Sequence, residues 1–279
     1  MFNGKQVSVT EHNPSIAVLR IHNPPHGFMD DVTEKELVKA LDALDAVPRI
    51  NVVVITGGQQ DVFVRHYDTL VLEARARQMT ARGMAFDPRR PVPEAGVHRV
   101  LRQIESSPAT YIAAINGMAM GGGFELALAC DFRLAEAGNY PIGLPEVNIG
   151  LLPGAGGTQR LRRLIGEAKA LELMLLGDTL TPRDALTYGL VNDVVNAPVL
   201  PKALQLAEAL SHRPARARAH IKRLVRGTDH AEQSPFTESL AIERTLFCDL
   251  MVQRDAVDRM QKLNAGEMTI QGNDIADAA

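Results

Sequence analysis

Three consecutive glycines and two glutamates are the residues in this sequence whose types and spacing could do chemistry. Gly121-Gly122-Gly123 lies between two apolar segments, the second of which is FELALAC. Glycines leave backbone N–H groups unshielded, and at a helix N-terminus such groups can hold an oxyanion or a phosphate. A tight strand-to-helix crossing needs the same small residues, so the triplet alone leaves both interpretations open.

Glu125 lies in the first turn of the predicted apolar helix, and Glu146 lies in the loop IGLPEVNIG. Burial raises the pKa of a carboxylic acid and suits it to proton transfer near neutral pH. Taken singly, Glu125 is better explained by a solvated face or by the helix dipole, and Glu146 by capping of a neighbouring helix. Taken together beside free amides, they predict two acid/base groups and an oxyanion hole.

The glycine-rich stretch matches neither common nucleotide motif. GMAMGGG lacks the G-x-G-x-x-G spacing of a dinucleotide site, and no Gly-Lys-Ser/Thr follows it as in a Walker A loop. The chemistry expected here is therefore proton transfer rather than nucleotide hydrolysis or hydride transfer.

Composition restricts the class of protein further. The 279 residues are 46% hydrophobic and 23% charged, with a net charge of −3 and a pI near 6.2. This balance predicts a folded chain without an electrostatic surface for nucleic acid or an anionic membrane. No apolar run approaches the ~20 residues of a membrane span, and the N-terminus lacks an apolar signal region. Cys130 and Cys248 cannot form a disulfide framework, so we expect a cytoplasmic protein.

The order of predicted elements indicates an α/β fold in the front of the chain. Strands are expected at 16–22, 51–56, 111–116, 132–137 and 189–195. Helices are expected at 32–47, 167–177 and 181–189, and in residues 69–107 with a loop at 86–96. Thr33 and Glu36 are expected to form a capping box. From Pro201 onward the pattern is helical only, so we expect an α/β core over 1–200 and a C-terminal helical region over 201–279.

The segments AAINGMAMGGGFELALACDFRLA and PEVNIGLLPGAGGTQRLRRLIG closely resemble the crotonase superfamily, in particular the enoyl-CoA hydratases. The match is continuous over roughly 111–195, and weaker similarity extends to IAVLRIHNPP and NVVVITGG. The resemblance implies a crotonase-like core of repeated β-β-α units with a C-terminal helical trimerisation region. It also implies a homotrimer or homohexamer. Apolar residues after Pro201 agree with such an assembly, among them Leu240, Ile242, Leu246 and Phe247.

The resemblance also implies roles for individual residues. Glu125 and Glu146 match the two glutamates with which the hydratases move protons, and Gly122 matches the glycine that donates one oxyanion-hole amide. The second amide falls at Tyr67, in the stretch DVFVRHYD. The implied substrate is an acyl-CoA thioester, with no metal or redox cofactor because coenzyme A is part of the substrate.

Several positions depart from the usual pattern of the family. Arg65, His66 and Tyr67 replace small residues beside the expected thioester oxygen, where they could narrow the acyl pocket or add a polar group. His66 is expected to be a surface or structural residue rather than a third base. Tyr140-Pro141 occupies a position where the family often has a Phe beside the acyl chain. The basic residues of the helical region are expected to form a solvated face more often than to meet nucleotide phosphates; they are Arg216, Arg218, Lys222 and Arg223.

The resulting hypothesis is an enoyl-CoA hydratase that adds water across the C2=C3 bond of a 2-enoyl-CoA and holds the enolate in a backbone oxyanion hole. The superfamily leaves alternatives open: an enoyl-CoA isomerase, or a hydrolase acting on an acyl-CoA or a C–C bond. A non-catalytic acyl-CoA or RNA-binding relative is disfavoured by the two glutamates and the acidic pI. Chain-length preference does not follow from the sequence.

Overall fold

Two β-sheets form the frame of the protein in the computed structural model, which describes residues 1–196, 198–227 and 234–272. The strands are β1 (Phe2–Asn3), β2 (Val7–Asn13), β3 (Ile16–Ile21), β4 (Val52–Gly57), β5 (Asp61–Val64), β6 (Thr110–Ile115), β7 (Gly117–Met120), β8 (Phe132–Glu136), β9 (Ile142–Gly143), β10 (Thr179–Leu180) and β11 (Asp193–Val195). The larger sheet has the order β1-β2-β3-β4-β6-β8-β11, and the smaller has the order β10-β9-β7-β5.

Helices cover the sheets and fill the C-terminal part of the chain. They are α1 (Asp31–Asp45), α2 (Thr69–Ala81), α3 (Gly96–Ser106), α4 (Gly122–Ala129), α5 (Gly157–Ile165), α6 (Glu167–Leu176), α7 (Pro182–Thr187), α8 (Val199–Ser211), α9 (Ala215–Arg226), α10 (Pro235–Met251) and α11 (Arg254–Asn264). A short 3₁₀ turn covers Glu146–Ile149. Within the described ranges, no helix is both long and apolar enough to cross a lipid bilayer.

A unit of two strands and one helix occurs three times in the central part of the chain. Each repeat places one strand in the large sheet, the next in the small sheet, and then a helix: β4-β5-α2, β6-β7-α4 and β8-β9-α5. Strands β4, β6 and β8 are parallel neighbours, as are β5, β7 and β9. The expected crotonase-like core of repeated β-β-α units is therefore confirmed. The successive helices all begin at the same side of the two sheets, where the candidate site lies.

The runs of Val, Ile and Ala in β4 and β6 are buried on both faces, as their continuous apolar pattern predicted. One face packs in the main core with α1 and α3, and the other packs against α8. Alternate residues of each strand therefore belong to two different apolar clusters. The division of the chain at residue 200 stays a prediction.

Strands β5 and β7 are among those that were not predicted, because the glycines at 57 and 117 were interpreted as the ends of strands. At Gly117 an added Cβ would lie 1.8 Å from the carbonyl carbon of Asp61, so the glycine permits close approach of β5 and β7. The expected capping box at α1 was also wrong. Asp30 caps this helix together with Thr33, while Glu36 accepts hydrogen bonds from the amides of residues 5–7.

The basic residues of α9 divide between two environments. Arg218 donates to the Asn51 carbonyl and to Thr110 Oγ1, and Lys222 donates to Asp131 and to two backbone carbonyls. Arg216 and Arg223 are exposed. The expectation of a solvated face was therefore wrong for Arg218 and Lys222, which attach α9 to the edge of the core and are not free to bind nucleotide phosphates.

A buried ion pair lies between the core and the candidate site. Arg160 Nε and Nη2 donate to the two oxygens of Glu105 at 2.8 and 2.7 Å, and both side chains are almost completely buried. Arg160 Nη1 donates to the Ala155 carbonyl at 2.6 Å, which ties the pair to the loop before α5. Arg226 Nη1 also lies 3.1 Å from Glu105 Oε1, but loss of the bidentate partner of a buried carboxylate is still strongly destabilising.

We expect Arg160→Met to lower the free energy of unfolding by about 3–5 kcal/mol, because it removes the bidentate partner of buried Glu105. Urea unfolding followed by circular dichroism measures this change. Arg162→Met on the same helix is the matched control, since Arg162 forms only a surface pair with Glu167, and such pairs contribute about 0–1 kcal/mol. Equal losses in the two variants would contradict a structural role for the buried pair.

Candidate active site

The glycine triplet forms the junction between β7 and α4. Gly121 has φ +48°, in the region that favours glycine, and α4 begins at Gly122. An added Cβ on Gly123 would lie 2.1 Å from the Val64 carbonyl oxygen, so this position also requires close backbone approach. Both interpretations of the triplet therefore hold: the crossing is tight, and it exposes an unpaired amide at the start of a helix.

The loop after β5 brings a second amide to this junction. Met29 N donates to the His66 carbonyl at 2.9 Å, and Asp68 N donates to the Met29 carbonyl at 2.7 Å. These bonds fix the backbone on both sides of Tyr67. A Cβ on Gly122 would lie 4.0 Å from Tyr67 N, so the two amides are neighbours. Neither N–H donates a hydrogen bond to another described residue, which leaves both available for one oxyanion.

The side chains of Arg65 and Tyr67 in this loop contact neighbouring residues and do not cover the Tyr67 amide. The Tyr67 hydroxyl lies 3.1 Å from Glu34 Oε2, and Arg75 Nη2 lies 2.9 Å from the same hydroxyl. Burial, together with the charge of Glu34, raises the pKa of Tyr67, so the phenol stays protonated. Arg65 lies over the Phe28 ring at 5.6 Å. The Tyr67 amide therefore stays unpaired although none of the three side chains in this loop is small.

His66 is a buried, neutral imidazole. Its Nδ1 lies 2.8 Å from the Tyr67 carbonyl oxygen, and its ring lies 4.6 Å from the Phe28 ring. Burial lowers the pKa of His66 to about 4. This argues for the structural role expected from the sequence, because a group with that pKa does not titrate near neutral pH.

Glu125 is held by the loop that precedes α5. Its side chain is 2% exposed, and Oε1 accepts hydrogen bonds from the amides of Ala155 and Gly157, both at 2.8 Å. Burial raises the pKa of Glu125, while these two amides and Arg160 oppose the rise. The carboxylate is thereby fixed with Oε2 toward Gly122, whose Cβ position lies 4.0 Å away.

Glu146 lies in the same cavity but lacks comparable partners. Its Oε2 is buried without a hydrogen-bond partner among the described residues, and Oε1 lies 3.1 Å from the Cβ position of Gly121. Burial raises the pKa of Glu146 well above its ordinary value, and the charges of Glu125 and Glu243 raise it further. A protonated carboxyl with an unpartnered oxygen in a cavity is suited to donate a proton to a ligand.

Glu243 on α10 is a third buried carboxyl that the sequence analysis missed. It accepts hydrogen bonds from Gly156 N, from Thr158 N at 3.0 Å and from Thr158 Oγ1. Burial and the charge of Glu125 raise the pKa of Glu243 to about 8, against the effect of these donors. The available signal was its position in an apolar helix stripe that includes Phe236, Leu240, Phe247 and Met251.

One cavity of about 320 Å³ lies beside these groups, and Glu243 is not among the residues of its wall. Tyr67, Gly122, Glu125 and Glu146 are all on its wall, so the structure brings the four predicted site residues together. The rest of the lining is mostly apolar and comes from α2, α10 and the segments around them, with Leu72, Met79, Phe247, Met251 and Ile270 among its members. An apolar cavity with a few convergent polar groups suits a small ligand with an aliphatic part.

Tyr140 does not line this cavity. Its hydroxyl donates to the Glu136 carbonyl, and the carbonyl of Ile115 lies 3.3 Å away. A place for Tyr140 beside an acyl chain, as the resemblance implied, is therefore wrong. In the described part of the chain, no group of three or more His, Cys, Asp or Glu side chains is arranged to hold a metal ion.

We expect Gly123→Ala to destabilise the protein strongly, because its methyl group would overlap the Val64 carbonyl of a neighbouring strand. Gly122→Ala is the matched control: its nearest neighbour would be Tyr67 Cβ at 3.8 Å, an ordinary contact. Thermal unfolding should show a large loss of Tm for Gly123→Ala and a small change for Gly122→Ala. A Gly123→Ala variant as stable as Gly122→Ala would contradict the close approach described here.

Comparisons with known proteins identify the family of this chain. The profile of the enoyl-CoA hydratase/isomerase family matches residues 11–263. A Bacillus subtilis protein named "Probable enoyl-CoA hydratase" is 32% identical over 252 residues, 88% of this chain and 91% of that protein. The solved structure of Pseudomonas aeruginosa DspI has a TM-score of 0.71 at 32% identity and covers 85% of this chain and 92% of its own.

Longer proteins also match. The fatty acid oxidation complex subunit alpha of Shewanella loihica is 40% identical over 209 residues, which are 74% of this chain. The match covers only 28% of that subunit, so this chain corresponds to under a third of its length. The family profile over nearly the whole chain, with a full-length relative above 30% identity, places this protein in the enoyl-CoA hydratase/isomerase family of the crotonase superfamily.

Proposed function

We propose that this protein is an enoyl-CoA hydratase, which adds water across the C2=C3 bond of a 2-enoyl-CoA thioester. The observation that carries the proposal is a pair of buried carboxyl groups, Glu125 and Glu146, on the wall of the cavity that two unpaired amides also face. Hydration needs a water molecule between two acid/base groups, whereas moving a double bond can be done with one.

The thioester carbonyl oxygen accepts hydrogen bonds from Tyr67 N–H and Gly122 N–H. When the water oxygen attacks C3, electrons move to this oxygen and form an enolate. The amides are already aimed at that position, and the start of α4 adds the positive end of its dipole. Each such donor contributes on the order of 3 kcal/mol to stabilising the transition state.

The hydrogen-bond partners of the two carboxyl groups assign their roles. Glu125, whose ionised form is stabilised by two backbone amides, accepts a proton from the water through Oε2. Glu146, whose raised pKa keeps it protonated, orients the water and gives its proton to C2. Each turnover consumes one water, and a proton exchange between the two carboxyls through the site restores the starting state. No metal or redox cofactor takes part in these steps.

We expect Glu146→Gln to lower kcat for hydration of a short 2-enoyl-CoA by ~10²–10⁴-fold, because the amide cannot supply the proton to C2. Binding of a saturated acyl-CoA should change little. Loss of the ultraviolet absorbance of the conjugated thioester measures kcat, and isothermal titration calorimetry measures binding. More than half of wild-type kcat in Glu146→Gln would remove Glu146 from the mechanism.

The pH profile supplies a second readout for the same variant. A general acid with a raised pKa keeps its proton to higher pH, so wild-type kcat/KM should be high at lower pH and fall as pH rises through that pKa. The residual activity of Glu146→Gln should lack this alkaline fall. A 3-enoyl-CoA tested beside the 2-enoyl-CoA distinguishes a hydratase from an isomerase. If the protein isomerises the 3-enoyl-CoA and does not hydrate the 2-enoyl-CoA, it is an isomerase.

We propose further that the protein assembles as a homotrimer or homohexamer. The described chain exposes large apolar side chains on α6 and α9, with exposed fractions of 69% at Leu175, 79% at Leu224 and 81% at Val225. Solvent-exposed apolar residues in such groups are typical of surfaces that contact another protein. The residues named from the sequence contribute less, since Phe247 lines the cavity and Leu246 is only 37% exposed.

We expect sedimentation velocity at micromolar concentration to give the mass of a trimer or hexamer. Leu224→Glu with Val225→Glu should shift the protein toward the monomer, because charges at a subunit interface oppose association. Leu70→Glu is the control, since Leu70 is also exposed but lies on α2. A monomeric wild-type protein would contradict the proposal.

A further inference from the structure

Helix α10 brings an arginine to the wall of the otherwise largely apolar part of the cavity. Arg244 is 9% exposed and lines the cavity together with Val92, Pro93 and Cys248. Glu243, the preceding residue, faces the loop before α5, so adjacent residues of one helix serve two different parts of the site. The hydratase mechanism makes no use of Arg244.

Only one N–H group of this guanidinium is used. Arg244 Nε donates to the Val92 carbonyl oxygen at 2.6 Å. Within the described residues, Nη1 and Nη2 make no hydrogen bond and Arg244 forms no ion pair. The nearby carboxylates are already engaged: Glu94 accepts from Arg102 Nη2 at 2.9 Å, and Glu243 accepts from backbone amides.

Arg75, the other arginine on the cavity wall, has hydrogen-bond partners for its guanidinium group. Arg75 forms an ion pair with Asp31 and donates to the Tyr67 hydroxyl. His98 is satisfied too, since it accepts from Ala95 N and its Nε2 lies 2.9 Å from the Gly154 carbonyl. Arg244 is thus a largely buried cation beside an apolar space, and its Nη1 and Nη2 groups have no hydrogen-bond partner among the described residues.

Arg244 lines the cavity, so a ligand that displaces water there without supplying acceptors would leave a costly unpaired cation. Arginine stays charged in proteins, and its planar fork of N–H groups matches the two oxygens of a carboxylate. An acyl chain that enters the apolar cavity and ends in a carboxylate would bury its methylene groups and complete this pair. A purely hydrocarbon chain would leave Arg244 desolvated and unpaired.

We propose that Arg244 is a specificity-determining residue that binds a carboxylate at the far end of the acyl chain, so that the preferred substrates are 2-enoyl-CoA monothioesters of dicarboxylic acids. This inference rests on the proposed hydratase function and names its substrate class. The anionic phosphates of coenzyme A are the other source of the same chemistry. The apolar neighbours Val92, Pro93 and Cys248 favour the acyl chain.

The test compares two substrates of equal length, 2-hexenedioyl-CoA and 2-hexenoyl-CoA, in the full-length protein. We expect wild-type kcat/KM to favour the dicarboxylic substrate by at least ~10-fold, and Arg244→Met to reduce that ratio ~10–100-fold, as for loss of a hydrogen-bonded ion pair. Arg244→Lys should keep part of the preference, because it keeps the charge without the fork. Arg254→Met, at a side chain 95% exposed on α11, is the control for net charge.

Binding separates this inference from the proposed function. Isothermal titration calorimetry with the saturated analogues adipyl-CoA and hexanoyl-CoA reports the same preference without catalysis. Equal affinity for the two in the wild type would overturn the role of Arg244, even in an active hydratase. Tighter binding of adipyl-CoA without hydration of any enoyl-CoA would overturn the hydratase and keep the subsite. If Arg244→Met instead weakens inhibition by free coenzyme A, the phosphates are its ligand and the inference is wrong.

Discussion

The backbone amides of residues 155–158 hold two buried carboxyl groups at once, and the geometry of the site depends on this arrangement. Ala155 and Gly157 donate to Glu125, while Gly156 and Thr158 donate to Glu243. Alternate amides point to opposite sides of the chain, so one short segment connects the core helix α4 to the C-terminal helix α10. The positive end of the α5 dipole lies at the same place and favours negative charge there.

The same distribution of hydrogen-bond donors decides which carboxyl group is protonated most readily. Three buried carboxyls that influence one another cannot all be ionised in a medium of low polarity. Glu125 and Glu243 take the available amides, whereas the Oε2 atom of Glu146 has no partner in the described chain. Protonation is therefore easiest at Glu146, and the proposed division of the two carboxyl groups into an acid and a base follows from where the loop amides point.

Much of the fold and the predicted site follows from local patterns in the sequence. Apolar runs located β4 and β6, and the resemblance of the stretch from residue 111 to 195 located Gly122, Glu125 and Glu146. Strands β5 and β7 were missed because their evidence is a close backbone approach at Gly117, which depends on a residue more than fifty positions away. Local patterns carry no information on such a contact.

Glu243 and Arg244 were missed for a related reason. Within α10 they are two charged residues among apolar ones, and their sequence neighbours do not reveal that one meets the loop before α5 and the other meets the cavity. The basic residues of α9 show the opposite error. Arg218 and Lys222 look like a solvated face in sequence, yet carbonyl and carboxylate groups of the core surround them.

The loop that contains Tyr67 shows why unusual side chains need not remove a backbone amide from a site. An amide N–H is common to all residues except proline, so its direction depends on the hydrogen bonds of the adjoining peptides. Here the bonds between Met29 and residues 66 and 68 orient the Tyr67 amide, and Tyr67 itself anchors its hydroxyl at Glu34. What the bulky side chains change is the shape and polarity of the cavity around the amide. In the proposed hydratase, selectivity among substrates can therefore vary in this loop and in α10 while the two amides and the two carboxyl groups keep the same reaction.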